Sequence, residues 1–174
     1  MDWTGLVFET IDMRSFSNLW FWIALAVFWS SNSHWVLGVP FDMVGRARRQ
    51  GGQATQDLED MVRIQVNRRL LIAEQAGLWL VAIVSALLAM LASLGFWYDI
   101  ELAQALFLLG FPMALVGGLS IAAAARIRGQ NLTGEALCHK LAVLRFWVQV
   151  IGMVAIFVTA MWGMYQNLAH GVLG

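Results

Sequence analysis

The sequence has a single cysteine among its 174 residues, and this scarcity excludes several kinds of site. One thiol, Cys138, cannot form an internal disulfide, a CxxC redox pair or a cysteine-based zinc cage. The chain also lacks a serine–histidine–aspartate pattern and an HExxH metalloprotease motif. The adjacent Cys138 and His139 diverge by about 100° on a helix, so they do not predict a metal pair. The sequence therefore gives no indication of an enzyme or of a nucleic-acid-binding protein.

Charged residues are also scarce, at 13% of the chain, whereas hydrophobic residues make up 60% and the mean hydropathy is +0.68. This composition lies outside the range of soluble domains. Four stretches are long and apolar enough to cross a hydrocarbon core of roughly 30 Å as helices: residues 17–39, 71–97, 102–125 and 142–165. The first is the weakest, because polar residues 30–34 interrupt it before it resumes and stops at Pro40. The sequence predicts a single all-α membrane domain, residues 1–174, built as a bundle of four transmembrane helices.

The basic residues are distributed unevenly between the predicted spans. Of the 11 lysines and arginines, all but Arg14 lie between residues 46 and 69 or between residues 126 and 145. Basic flanks stay on the cytoplasmic side during membrane insertion. We therefore expect loops 40–70 and 126–141 to be cytoplasmic, which places both termini outside (N-out, C-out).

The first basic loop contains the pattern of an amphipathic helix before the second span. An apolar residue recurs at every fourth position between residues 55 and 70: Leu58, Val62, Val66 and Leu70. Two structures fit this pattern, a helix lying on the membrane surface and an extension of the second span that presents its stripe to a partner. The preceding residues 45–53 have the composition of a flexible basic loop. Three arginines of this region are expected to contact anionic lipid headgroups: Arg46, Arg48 and Arg49.

Small residues indicate which face of a span packs closely, since lipid removes the hydrophobic drive between helices. They recur at fourth-residue spacing in three spans: Ser85, Ala89 and Ser93; Gly110, Ala114, Gly118 and Ala122; and Ala155, Thr159 and Gly163. We expect these stripes to form the interior of the bundle rather than a self-dimerisation face. The outer half of the first span is bulky instead, and four of its aromatic residues are predicted to contact another protein: Trp20, Trp22, Phe28 and Trp29.

Polar residues in and beside the spans are predicted to converge at one depth near the cytoplasmic side: Ser30, Asn32, His34, Glu74, Gln75 and Gln149. Polar groups in hydrocarbon are costly, so they need partners or a function. The simplest interpretation is a set of hydrogen bonds between helices that fixes their register. Two sharper hypotheses stay open. One is a proton relay between His34 and Glu74, and the other is a haem, chlorophyll-type or quinone site with His34 as the ligand.

The N-terminal quarter of the chain carries a resemblance to a known family. The run IDMRSFSNLW at residues 11–20, followed by WSS at residues 29–31 and SHWVLGVP at residues 33–40, resembles uncharacterised integral membrane proteins of alphaproteobacteria. Some members of that family carry the label of a component of an iron–sulfur cluster assembly complex. The resemblance covers roughly residues 8–50 and implies a bacterial inner-membrane location, with a shared motif that ends at Pro40.

These observations favour an accessory or assembly subunit that packs beside other integral membrane subunits of a larger complex, such as one of energy conversion. The charge pair and apolar side chains of residues 11–18 suit such a docking role. Two alternatives remain, a small cofactor-binding redox protein that uses His34 and a small membrane subunit of a transporter. Transporter subunits of this size usually begin inside the cell, which the N-out prediction does not match.

Overall fold

The computed structural model describes residues 19–171, with side chains for residues 19–168. This part of the chain is helical apart from one small hairpin and its turns. The elements in chain order are α1 (Leu19–His34), β1 (Trp35–Val36), β2 (Val39–Pro40), α2 (Phe41–Gln50), α3 (Gly52–Ala92), a π-helical turn (Ser93–Trp97), α4 (Glu101–Gly129) and α5 (Gly134–Gly171). Within the described range, three helices are long and apolar enough to cross a membrane, Gly52–Trp97, Glu101–Gly129 and Gly134–Leu168. The predicted all-helical architecture is confirmed, and the three helices are consistent with a multi-pass membrane protein.

The predicted first span, residues 17–39, is wrong over its last five residues, 35–39, because the chain reverses direction there. Helix α1 ends at His34, and β1 and β2 then pair antiparallel, with Val36 opposite Val39. The turn between them has positive φ at both central residues, 57° at Leu37 and 78° at Gly38. Such a conformation closes a two-residue hairpin and is strained for leucine. Burial of the Leu37 side chain, 3% exposed, offsets that strain.

The basic residues that follow the hairpin form a helix, so the predicted flexible loop over residues 45–53 is wrong. Helix α2 begins directly after Pro40, buries Val44 and Ala47, and ends at Gly51, whose N–H donates to the carbonyl oxygen of Ala47. The burial of one apolar face gives this short helix the tertiary support that its basic composition does not supply. The three arginines predicted to meet lipid headgroups are exposed on its other side: Arg46, Arg48 and Arg49.

The amphipathic stripe before the second span belongs to the same helix as that span. Helix α3 has 41 residues and is about 60 Å long at 1.5 Å per residue, so about half of it extends beyond a hydrocarbon core of roughly 30 Å. The four stripe residues are buried, with exposed fractions from 0% to 5%: Leu58, Val62, Val66 and Leu70. They form one cluster with apolar side chains of α2, the hairpin, α4 and α5. Of the two predicted structures the extension is correct, and the chain itself covers the stripe.

The hydrophobic core therefore lies at the end of the molecule that carries the basic residues, here called the basic end. The other half of the long helices, here called the apolar half, is packed more openly. The most apolar stretch of α3 contains no buried residue, and the corresponding stretches of α4 and α5 are 22% and 28% buried. The opposite end of the molecule, where α3 turns into α4 at Asp99, is here called the Asp99 end.

The predicted small-residue stripes agree with the structure in one helix out of three. Ala155, Thr159 and Gly163 of α5 are buried as predicted. The stripe of α3 is exposed, and in α4 Gly118 and Ala122 are exposed as well. The buried face of α4 consists of other residues: Pro112, Val116, Ser120, Ala123, Ala124 and Ile127. Because residues on a helix are 100° apart, a shift of two positions moves the packed face to the opposite side.

Candidate functional site

Helix α1 is held to α5 by one close contact between a tryptophan and a glycine. A Cβ atom built on Gly152 would lie 2.8 Å from Cε3 of Trp29, so the indole ring rests directly on the α5 backbone. Asn32, further along α1, shares a pocket with Leu144 and Val148, which precede Gly152 in α5. Later residues of α1 therefore meet earlier residues of α5, and the two helices are antiparallel.

This contact divides the four aromatic residues that were predicted to meet another protein. Trp29 is 5% exposed and packs inside the chain, so the prediction is corrected for this residue: a ring that fits against a glycine is not available to a partner. Trp22 and Phe28 are partly buried against the core. Trp20 is 75% exposed, as the prediction requires. The possible docking surface of residues 11–18 lies outside the described residues.

The predicted polar layer does not converge on one point. In α1 the polar side chains bond within their own helix, with Asn32 donating to the carbonyl oxygen of Phe28 at 2.9 Å. The hydroxyl of Ser33 donates to the carbonyl oxygen of Ser30 at 2.9 Å. His34 is exposed, and its ring meets that of Trp35 edge to face. These bonds satisfy the Asn32 amide nitrogen and the Ser33 hydroxyl within α1, without a second helix.

The remaining members of the predicted layer lie apart from His34. Ser30 and Gln149 line a groove between α1 and α5, and Gln75 is exposed on α3. The carboxylate of Glu74 accepts a hydrogen bond from the Arg128 guanidinium at 2.6 Å, which links α3 to α4. Within the described residues, the ion pair of Glu74 is therefore with Arg128, and the structure does not bring His34 to it.

We expect Glu74→Gln to change the free energy of unfolding by less than about 1 kcal/mol, because the ion pair with Arg128 is half exposed to solvent. Unfolding by SDS in mixed detergent micelles measures this change. Arg128→Gln removes the other half of the same pair and is expected to have an equally small effect. A loss of several kcal/mol in either variant would show that the pair has a larger structural role than an exposed bridge.

One predicted polar residue, Asn32, borders a pocket that the sequence analysis missed. The pocket has a volume of about 230 Å³ and lies where the hairpin meets all four long helices. Its polar lining comes from Asn32 of α1, Arg69 of α3 and Ser120 of α4, with Trp35 of the hairpin beside them. The rest of the lining is apolar or glycine: Val36, Leu37, Met113, Val116, Gly117, Leu144 and Val148.

Among the described residues, Arg69 is the only charged one that lines this pocket, and it has no counter-ion there. Its Nε is buried and has no hydrogen-bond partner. The ion pairs among the described residues join other arginines to carboxylates, namely Arg46, Arg63 and Arg128. Because a charge that is partly removed from water is costly when unpaired, this guanidinium has strong potential to bind an anion.

A second polar cluster, also missed, ties the helices together at the Asp99 end. Gln104 is 1% exposed, and its amide nitrogen donates to the carbonyl oxygen of Gly95 and to Asp99, both at 2.9 Å. Its amide oxygen accepts from the indole of Trp162 at 2.9 Å and from Gln166 at 2.6 Å. An amide inside a predicted span is costly in lipid, and this is the sequence signal that marks Gln104. Both donors and both acceptors of the Gln104 amide are therefore in use. The cluster joins the chain segment that follows α3 to α4 and α5.

The described side chains offer no group of three or more histidine, cysteine, aspartate or glutamate residues that could hold a metal ion. Cys138 is buried and His139 beside it is exposed, so the two side chains lie on different sides of α5. No protein-family model, curated protein or solved structure matches the chain. No matching protein therefore indicates what the polar pocket at Arg69 or the exposed side of α1 does.

Proposed function

We propose that this protein is a non-catalytic accessory or assembly subunit of a larger complex in the bacterial inner membrane. In this proposal α1 and the three longer helices form four spans, with both termini outside and the basic end in the cytoplasm. The antiparallel packing of α1 against α5 supports the arrangement, because it brings the polar end of α1 toward the basic end of the molecule. The basic residues concentrated there support the orientation.

The outward face of α1 is the observation that carries the proposal. Val27 is 60% exposed, and Ser31 and His34 follow it at helical spacing on the same exposed side. An apolar face alone would suit lipid. A face that adds a hydroxyl and an imidazole toward the basic end of α1 can also form hydrogen bonds with a helix of another subunit.

The exposed face of α3 in the apolar half has different chemistry. Between Leu78 and Leu91 its side chains are apolar apart from Ser85. Lipid tails satisfy such a surface, so its exposure does not require a protein partner. The contrast between the two helices therefore favours α1 as the side on which another subunit docks.

Native mass spectrometry of the protein, extracted gently from its own membranes, tests the proposed function. We expect an assembly that contains other integral membrane subunits. A lone chain that carries a bound haem, chlorophyll-type pigment or quinone would support the cofactor alternative at His34 instead. A lone chain without such a mass would contradict the accessory role and make transport the next hypothesis to test.

A matched pair of variants tests which helix docks. Val27→Trp places a bulky ring on the outward face of α1, and we expect it to lower the amount of recovered complex at least about tenfold, because a well-packed interface does not accommodate the added volume. Val81 of α3 is exposed to a similar degree, 66% against 60% for Val27. The control Val81→Trp is expected to leave the complex intact. If the amount of complex recovered with Val27→Trp equals that recovered with the wild type, α1 is not the docking helix.

A further inference from the structure

The pocket beside Arg69 has the lining of a site for a molecule with an anionic head and an apolar body. Asn32, Arg69 and Ser120 contribute polar groups to its lining. Val116, Leu144 and Val148 contribute aliphatic side chains to the same lining. A purely structural cavity at this position would be expected to be apolar throughout or to contain a paired charge. The mixture of one cation with hydroxyl, amide and aliphatic groups matches an amphiphile.

The charge balance of the pocket specifies the sign of the head. Arg69 contributes one positive charge, and the part of the lining that the structure describes contains no acidic residue. Arginine is the side chain best suited to an oxyanion, because its planar group can donate two parallel hydrogen bonds to phosphate or carboxylate. Ser120, 6% exposed, adds a buried hydroxyl that can donate to the same oxyanion.

With the spans placed as in the proposed function, the pocket lies at the depth of phospholipid headgroups. Arg69 precedes the predicted second span by two residues, and Asn32 lies in the last turn of α1. The anionic headgroups of the cytoplasmic leaflet attract basic residues that lie at this level. The site is separate from the exposed arginines of α2, which can meet many headgroups at once without a defined cavity.

We propose that the pocket binds the phosphate group of an anionic phospholipid through Arg69 and Ser120. The acyl part of the lipid then lies along the aliphatic lining from Val116 to Val148. The bound phosphate neutralises Arg69 and joins α1, the hairpin, α3, α4 and α5 around one ligand. This site belongs to the isolated chain and does not depend on the identity of any partner subunit.

Lipid titration followed by native mass spectrometry tests the proposal on the purified, delipidated full-length protein. Phosphatidylglycerol is the probe, and wild type, Arg69→Gln and Arg68→Gln are compared. Arg68 is the next residue on α3, carries the same charge and is exposed. We expect Arg69→Gln to weaken binding by at least about tenfold, since a charge-assisted pair of hydrogen bonds is lost. Arg68→Gln is expected to change the affinity by less than about twofold, because an exposed arginine contributes only screened, long-range attraction.

Equal weakening in both variants, or none in Arg69→Gln, overturns the proposal, because the attraction would then come from the surface charge as a whole. Inorganic phosphate and oleate are added as competitors. Displacement of the lipid by inorganic phosphate supports a phosphate site and identifies free phosphate as a second source of the ligand. Displacement by oleate alone means that the site prefers a carboxylate, which also overturns the proposal.

A second variant keeps the test decisive if Arg69→Gln fails to fold. Gly117 lines the pocket, and a Cβ atom built on it meets no atom within 4 Å. Gly117→Leu therefore adds a bulky side chain at the pocket wall without a clash while Arg69 stays in place, and we expect it to weaken phosphatidylglycerol binding by a similar factor. Binding as tight as in the wild type would show that the lipid does not occupy this pocket.

Discussion

Replacing Gly152 by leucine is expected to lower the free energy of unfolding by about 3 kcal/mol and to detach α1 from α5. The reason is steric. Even a single methyl group at Gly152 would lie 2.8 Å from Trp29 and 3.3 Å from two further carbons of its ring. Trp29 is buried against α5, so moving its ring away from the added side chain disrupts the packing between the two helices. The helix that carries the proposed docking face then loses its position.

Unfolding by SDS in mixed micelles measures the loss of stability, and limited proteolysis of the hairpin after α1 reports the detachment. Gly118→Leu is the matched control, since Gly118 is exposed on α4 and a Cβ atom there meets nothing within 4 Å. We expect this control to be as stable as the wild type. Wild-type stability in Gly152→Leu would contradict the close contact between α1 and α5.

The basic end was the part of the fold that sequence patterns described best. The stripe from Leu58 to Leu70 correctly predicted a helix with one apolar face, because four apolar residues at one spacing among polar neighbours define a side. The pattern does not say what covers that side. The cover comes partly from the hairpin, and its turn depends on Leu37 adopting a positive φ, which the sequence around Gly38 does not reveal.

The apolar half was predicted less well for a physical reason. Where lipid and protein interior are equally apolar, hydropathy carries no information about which face of a helix is buried, and only small residues remain as a guide. That guide selected Gly118, although the face of α4 that packs contains Val116 and Ser120. The glycine that matters most is Gly152, and its role depends on the tryptophan that α1 places opposite it.

The candidate pocket was predicted in part. Asn32 belongs to the predicted polar layer. Arg69 is one of the basic residues that predict the topology, and no sequence pattern marks Ser120. The helical period contains a usable signal for Arg69: three positions after the buried Val66, it lies only about 60° from that residue around α3. An arginine so close to a buried stripe is not a fully solvated charge. Its neighbours on the other helices, however, could not be deduced without the packing of α1 and the hairpin.

Replacing Gln104 by leucine is expected to lower the free energy of unfolding by about 3 kcal/mol. Leucine has a similar volume, so the change tests the hydrogen bonds rather than the packing. Trp162 loses the acceptor of its indole N–H, and the carbonyl oxygen of Gly95 loses the amide donor. Each buried polar group left without its partner costs about 1–3 kcal/mol, and two or more such groups are affected here.

The same substitution at Gln149 separates this joint from a general effect of removing an amide. Gln149 is exposed on α5, and Gln149→Leu in the isolated protein is expected to leave stability unchanged or to raise it slightly. SDS titration of both variants in the same detergent gives the comparison. If Gln104→Leu unfolds at the same SDS fraction as Gln149→Leu, the Asp99 end is held by helix packing alone. A difference of the expected size means that the Gln104 cluster fixes α3, α4 and α5 at the Asp99 end, as the hydrophobic core does at the basic end. A ligand at Arg69 then binds to a bundle whose helices are already joined at both ends.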